Sequence, residues 1–571
     1  MSVPRRRKRD DIAAWLAKGT LLAYYNAKDR RFQSTLPTAR QLDADRLLQH
    51  IDSNRDTGFG RTHQFSSIKS LAAFRDQVPI ADYCDLAPYI DAVANGEKNA
   101  LFAVKERILA FACTTGSTGK PKILPVTKSW LRTYQYHWQI WGVKAVLDHP
   151  GVRTTKWLQI SGPSEIDQTA SGHQVGMASA ITARYQNPIF QNFYAVPYQA
   201  GNITDGRARN YTILRLAIPQ RVGFIMTITA ANLIRLAELG NEMKQTLIRD
   251  LFDGTLTGAG DASPLPEGWM RSAARQRHPE RARQLEKTIA ATGTLYPKDY
   301  WPLQLLACWT SGTVGYQARS LPKYYGDTPL RDLGYVSTEG RHTIPSADRT
   351  AAGVLVTNGA FYEFIGPNSD KALCAHELEN GQSYSVLMTN GQGLYRYRIG
   401  DIVRCLGTEG QSPILEFLRK TDEFSDMEGE KISGDQIACA ISACCDRLSL
   451  SFGGFSAVPM RPKVGAPYYA ILLEALDDGG RDVEGQLVAM IDDELCALNI
   501  MYRQKRADGS LAPVQLLILA SGSFSAVAAA QGAARGTGDT QHKQPPILTA
   551  EVLSSITIER TVQRPSLAKI A

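Results

Sequence analysis

Three absences narrow the field first. Within the 571 residues no uncharged apolar run approaches the roughly 20 residues that span a bilayer, so no membrane partner is expected. The nine cysteines are odd in number and scattered, with only Cys444 and Cys445 adjacent. Their spacing suits neither a zinc ribbon nor the disulfide framework of a small secreted domain. The apolar run behind the basic N-terminal stretch is interrupted by Lys18 and lacks a signal-peptide core and cleavage site, so a cytoplasmic location is expected. Charge of one sign is also scarce: the net +8 is modest, and its densest part, Arg5-Arg6-Arg7-Lys8-Arg9, reads as a solvated arm. Basic and aromatic residues are not interleaved along a groove-like stretch, so no nucleic-acid partner is expected. A fixed-period repeat is missing too, which excludes a solenoid.

What is present is ordinary globular composition, 43% hydrophobic and 21% charged, over a length that implies two or three domains. Residues 10–53 read as helical, with Leu42, Leu47, Leu48 and Ile51 at helical spacing. "SWLRTYQYHWQIWGVKAVL" predicts a helix whose aromatics Trp130, Tyr134, Trp138 and Trp141 recur every three or four residues. "RVGFIMTITAANLIRLAELGNEM" predicts a buried strand running into a helix. "GVLVTNGAFYEFIGP" and "QSYSVLMTNGQGLYRYRIGDIVRCLG" predict strands with turns at Asn-Gly. A new unit, with helices and the strands "APYYAILLEAL" and "VQLLILAS", follows "FLRKTDEFSDMEGEKI". The division falls near residue 418, giving domains 1–417 and 418–571. The alternation of elements predicts an α/β fold of mixed α+β texture.

Three stretches carry chemistry. "FACTTGSTGKPKILPV" places Thr114, Thr115, Gly116, Ser117 and Thr118 in a loop between two strand-like runs. It is not a Walker A loop: Gly116 and Gly119 are too close, and Pro121 after Lys120 removes an N–H where a helix should open. The dinucleotide fingerprint GxGxxG is absent as well. A hydroxyl-rich loop with glycines can still wrap phosphates through side-chain and backbone donors, though such clusters are by default surface loops. "GYVSTEGRHTIP" sets Tyr335, Ser337, Thr338 and Glu339 after a strand-like run, and a carboxylate beside hydroxyls suits a phosphate-bridging Mg²⁺. "YRYRIGDIV" sets Asp401 behind a glycine, as a turn residue or as an acceptor for ribose hydroxyls.

In this order "TTGSTGKPK", "YVSTE", "YRYRIGD" and "RKTD" resemble the signature series of the adenylate-forming superfamily. "VPIADYCDLAPYIDAVANGEKN", "LPKYYGDTPLRDLGYVSTEG" and "GSFSAVAAAQGAARGTGDTQHKQPPIL" narrow the resemblance to its Gretchen-Hagen branch, the auxin-responsive acyl acid amido synthetases of plants and their bacterial relatives. The matching stretches run from about Phe74 to Leu548.

The resemblance implies a large N-terminal adenylate-forming domain with β-sheets flanked by helices, and a smaller mobile α/β C-terminal domain. It implies that Thr114, Thr115, Ser117 and Thr118 hold ATP phosphates, with Gly116 and Gly119 permitting close approach and Lys120 and Lys122 either adding potential or remaining solvated. Tyr335 would lie near adenine, Ser337 and Thr338 near the phosphates, Asp401 on the ribose, and Glu339 on Mg²⁺. Arg419 to Asp422 would form the hinge, and Lys543 would reach the α-phosphate. The implied activity adenylates a carboxylic acid with release of pyrophosphate, then transfers the acyl group to an amine, an amino acid being the expected class. Transfer to a thiol of CoA or a carrier protein is the near alternative, and a catalytically dead scaffold is a further one. ATP and Mg²⁺ are the expected cofactors, small-molecule acid and amine the partners, and a monomer the expected state.

For the acyl acid, Trp130, Tyr134 and Trp138 either wall a flat apolar pocket or form ordinary core. His173 and Thr229 belong to segments that resemble pocket rims, His173 reading as a base or as a polar rim residue. Three departures from the family pattern stand out: Val336 is bulkier than usual after the tyrosine, Gln544-Pro545-Pro546 follows Lys543, and "RHTIP" follows Glu339.

Overall fold

The computed structural model describes residues 23–113, 122–203, 205–260, 268–367, 369–421, 424–474, 476, 483–527 and 544–563. Contacts divide the chain into two compact units, the residues up to Thr310 with Pro322–Phe417, and Ser311–Leu321 with those from Leu418 onward.

Among its described residues the first unit holds three sheets. Strands Lys156–Gln159, Val222–Thr229, Leu305–Trp309 and Leu330–Asp332 lie side by side in that order, all parallel. Parallel pairing needs crossovers, and helices such as Gly206–Ala217 and Ala230–Glu242 fill them. The predicted strand-into-helix segment is realised here: "VGFIMTIT" is buried through most of its length, and helix Ala230–Glu242 follows directly. A second, mixed sheet pairs Ile108–Cys113 antiparallel with Ile123–Thr127 and parallel with Gln174–Met177. Cys113 stands opposite Ile123, so these two strands close the base of the hydroxyl-rich loop. The third sheet has seven strands in the order 372–374, 360–365, 383–390, 397–409, 412–420, 353–355, 343–344.

Helix Lys128–Asp148 covers the expected aromatic segment and is capped by Thr127, whose hydroxyl accepts the Trp130 N–H at 3.2 Å. Nearer the N-terminus, helix Ala39–Ser53 buries Leu47 and Ile51 as its spacing requires.

The second unit contains a four-stranded sheet, Gly454–Met460, Tyr468–Glu474, Gln515–Leu519 and Ile558–Gln563, and a two-stranded one, Phe424–Ser425 with Ile432–Ser433. Strand alternation splits the apolar residues of the larger sheet between two cores. Tyr469, Ile471 and Leu473 face helices Gly434–Arg447 and Glu484–Leu498, whereas Ala470 and Leu472 join Phe524 and Leu548 on the other side. The two expected strands pair directly and in parallel, Ala470 opposite Gln515.

A buried ion cluster pins the hairpin that leads to Asp401. Glu363, 1% exposed, accepts from Arg75 Nε at 2.8 Å and from Arg396 Nε at 2.9 Å. Arg396 holds φ at +44°, an uncommon value for a residue with a side chain. Its guanidinium also donates to the carbonyls of Arg75 and Val78 at 3.0 and 2.9 Å, and its N–H to Thr389 Oγ1 at 2.9 Å. Replacing Glu363 by Ala strands two guanidinium groups and should lower unfolding stability by about 3–5 kcal/mol. Denaturant unfolding measures this, and a loss below about 1 kcal/mol would refute the pinning role.

Candidate functional site

The carboxyl ends of parallel strands are where α/β sheets gather ligands, because chain reversals leave a crevice there. Thr229 ends one such strand opposite Trp309 in register, and the stretch Gly334–Gly340 follows the end of another. Gly334 is required at the turn: φ is +80°, and a Cβ would lie 2.6 Å from Pro345 Cδ and 2.8 Å from the Thr343 carbonyl.

Beyond Gly334 the chain folds back on itself. Val336 bridges Arg341, the Ser337 N–H donates to the Gly340 carbonyl at 2.8 Å, and the Glu339 N–H donates to Ser337 Oγ at 3.1 Å. Ser337 Oγ also lies 2.8 Å from His342 Nε2, while His342 Nδ1 lies 2.9 Å from the Tyr362 hydroxyl. Two backbone carbonyls of this tight loop then need donors from elsewhere. Trp130 Nε1 and Asn390 Nδ2 both donate to the Glu339 carbonyl at 2.9 Å, and Gln392 Nε2 donates to that of Thr338 at 3.3 Å. Asn390 is itself oriented, its Oδ1 accepting the Gln392 N–H at 2.9 Å.

The other half of the site comes from strand Tyr397–Glu409. Tyr397, Ile399, Asp401 and Val403 alternate inward, and Arg398 and Arg404 point out. Pairing with strand Ser383–Asn390 shifts register between Ser385 and Leu387, a bulge that contains Gly400 at φ +76° and re-aims Asp401. The Tyr335 hydroxyl donates to Asp401 Oδ2 at 2.6 Å. Burial and the adjacent Asp401 carboxylate hold the Tyr335 phenol well above its ordinary pKa, so it remains a donor. Its ring lies between His342, 4.2 Å away by centroids, and Phe417 at 5.7 Å.

The structure thus brings Tyr335, Ser337, Thr338, Glu339 and Asp401 together. Thr114, Thr115, Gly116, Ser117, Thr118, Lys120, Asp422 and Lys543 lie outside the described residues. Arg419, in the second unit, pairs with Asp435 at 2.9 Å. His173 is held within its own hairpin, its Nδ1 2.9 Å from Ser171 Oγ and its ring beside Phe111. Thr229 is buried at the carboxyl end of its strand. Trp130 and Tyr134 stack at 4.8 Å inside an apolar cluster that includes Ala110, Ile181 and Val336. Trp138 lies over the Arg341 guanidinium at 4.2 Å. Val336, the bulky departure after the tyrosine, therefore packs as core.

Sequence reasoning overlooked Asn390 and Gln392. The Asn-Gly pair was legible as a turn, but nothing local signals that the amide reaches a residue 51 positions away. Among the described residues no group of three or more His, Cys, Asp or Glu is arranged to hold a metal. Mg²⁺ bound through phosphates needs few protein oxygens, so one carboxylate, that of Glu339, fits that role.

If the carbonyl bracket positions Glu339, Asn390→Ala should lower stability by about 1–3 kcal/mol. It should also slow ATP turnover about 10²-fold, the cost of a roughly 1 Å misplacement. Thermal unfolding and steady-state turnover measure both, and unchanged turnover in a destabilised variant would limit the bracket to a structural role.

The profile of the GH3 family N-terminal domain matches residues 28–330, that of the central domain 353–420, and that of the C-terminal domain 435–552. The indole-3-acetic acid-amido synthetase GH3.8 of Oryza sativa subsp. indica is 24% identical, over 93% of this chain and 92% of its own. The 4-substituted benzoates-glutamate ligase GH3.12 of Arabidopsis thaliana is 23% identical, over 83% and 86% respectively. The solved structure of the AtGH3.15 acyl acid amido synthetase in complex with 2,4-DB shares the fold, with a TM-score of 0.84 at 19% identity over 95% of this chain and 98% of that one. With the first profile alone spanning more than half of its length, the chain belongs to the GH3 family.

Proposed function

We propose that the protein is an ATP-dependent, AMP-forming amide ligase that activates a carboxylic acid as its acyl-adenylate and passes the acyl group to an amine, an amino acid being the class that the relatives' names suggest. The observation that supports this reading is the 2.6 Å bond between Tyr335 and Asp401, which brings together the two stretches that resemble the adenylate-forming signatures. Membership of a family whose named members are amido synthetases favours an amine over a thiol as acceptor.

The chemistry asks for this inventory. A free carboxylate is a poor acyl donor because its leaving group would be oxide. When one carboxylate oxygen attacks the α-phosphorus, the P–O bond to pyrophosphate breaks and AMP becomes the leaving group. Negative charge builds at phosphorus, and fixed positive groups are worth most there. Mg²⁺, held by Glu339, would supply such charge at the phosphates. Thr114, Thr115, Ser117 and Thr118 would donate to phosphate oxygens, with Gly116 letting the backbone approach, and Asp401 would accept from the ribose. Lys543 would reach the α-phosphate from the second unit, turning about Arg419–Asp422, and its withdrawal would open the acceptor site. The amine then displaces AMP from the acyl carbon and releases a proton.

Carboxylate-dependent ATP–pyrophosphate exchange tests the reading over a panel of aromatic, aliphatic and amino acids. Exchange should appear with one class of acid. It should be abolished by Glu339→Ala and fall about 10²–10³-fold in Lys543→Ala, the scale of one lost transition-state donor. Exchange that is indifferent to both substitutions would overturn the assignment.

A further inference from the structure

His342 belongs to "RHTIP", a stretch that departs from the family pattern, and the adenylation chemistry above gives it no task. It is fully buried and held at both backbone and ring. Its N–H donates to the Tyr335 carbonyl and its own carbonyl accepts from the Val356 N–H, both at 2.9 Å. Its ring lies 4.2 Å by centroids from that of Tyr335 and 5.7 Å from that of Tyr362. Both ring nitrogens are engaged, Nδ1 at 2.9 Å from the Tyr362 hydroxyl and Nε2 at 2.8 Å from Ser337 Oγ. A buried histidine of this kind either fills a core or sets the direction of a proton. Counting donors and acceptors around it gives that direction.

Tyr362 is 4% exposed, and burial, with the Asp43 carboxyl nearby, holds its phenol well above the ordinary pKa. The phenol therefore keeps its proton, and a buried O–H needs an acceptor. Among the described residues His342 Nδ1 is the only hydrogen-bond partner of that hydroxyl. With Nδ1 accepting, the ring proton sits on Nε2, which donates to Ser337 Oγ. The Glu339 N–H donates to the same oxygen at 3.1 Å. A hydroxyl oxygen has two lone pairs, and these two donors take both. The Ser337 proton is thereby left for a partner outside the loop. The other tautomer reverses each step: Nδ1–H would donate to Tyr362, whose own proton would lose its acceptor, and Nε2 would draw the Ser337 proton inward.

We propose that His342 is a positioning residue of the nucleotide site, which donates from Nε2 to Ser337 and so reserves the Ser337 hydroxyl proton for a phosphate oxygen of ATP. The inference rests on the adenylation reading above, which sets Ser337 at the phosphates. A phosphate oxygen only accepts, so a hydroxyl whose proton pointed to the imidazole would have to turn before it could bind. One already aimed outward binds without that reorganisation. Tyr362 acts one step further back, by fixing the tautomer of His342.

Two measurements test this. The first is long-range ¹H–¹⁵N correlation on protein labelled with ¹⁵N-histidine, the His342 signals being assigned by their loss in His342→Phe. The ring proton should sit on Nε2, and a proton on Nδ1 would overturn the proposal whatever the kinetics. The second is a double-mutant cycle in kcat/KM for ATP, read by ATP–pyrophosphate exchange with the best acid of the panel. Ser337→Ala should cost about 10–100-fold, the range for a hydrogen bond to a charged group. His342→Phe keeps a ring beside Tyr335 and removes the donor. It should cost about 2–10-fold when Ser337 is present and nothing further when Ser337 is already alanine. His342→Gln, which returns an N–H near the place of Nε2, should recover part of the loss. Additive losses would reduce His342 to a packing residue, and an unchanged kcat/KM in Ser337→Ala would mean that no phosphate meets that hydroxyl. Either result overturns the role of His342 and leaves adenylation standing. Exchange with no acid in the panel would withdraw the adenylation reading and the role of His342 with it. Should His342→Phe fail to fold, His342→Gln supplies the assignment and the tautomer decides alone.

Discussion

A backbone that turns tightly inside a protein must find hydrogen-bond partners for its carbonyls, and at Thr338 and Glu339 it finds them in side chains from two distant elements. Trp130 arrives on helix Lys128–Asp148, and Asn390 and Gln392 arrive at the end of strand Ser383–Asn390. One loop thereby binds a helix and the large sheet to the carboxyl edge of the parallel sheet. The Tyr335–Asp401 bond closes the same ring from the other side. Removing a partner from such a network leaves a buried polar atom exposed to nothing, which is costlier than never having made the bond.

The strain in the neighbouring hairpin has the same logic. Arg396 adopts a left-handed backbone conformation that costs of order 1 kcal/mol or more, and Glu363, two carbonyls and Thr389 hold it there. Segment Ala81 joins in, its N–H donating to the Arg396 carbonyl and its carbonyl accepting from the Arg398 N–H. The motif "YRYRIGD" is therefore largely structural. Tyr395 and Tyr397 are buried, Arg396 anchors, Gly400 makes the bulge, and only then does Asp401 face the site.

Much of this was legible in the amino-acid order because local rules and tertiary demands coincide. The helix over 128–148 follows its aromatic period, the strands at 222–229, 468–474 and 515–519 are short apolar runs buried almost throughout, and Asp401 falls on an inward position of its strand. Other features are invisible locally. Asn390 looks like a turn residue, and its long-range role depends on which loop lies opposite. Trp130 and Tyr134 were ambiguous between wall and core because an aromatic stripe serves either purpose, and they both pack in a core and border a cavity. Arg341 could be marked as a departure from the family pattern, but its burial between Trp138 and Trp141 could not. Charge in a core has no periodicity to betray it.

The route of one oxygen atom distinguishes adenylation from other ways of activating the acid. When an acid labelled with ¹⁸O in its carboxylate is turned over with ATP and an amine, attack on the α-phosphorus requires one labelled oxygen to appear in AMP, readable by mass spectrometry. AMP carrying that oxygen, released with pyrophosphate and the amide, is the predicted result. Unlabelled AMP, or ADP in place of AMP, would contradict it.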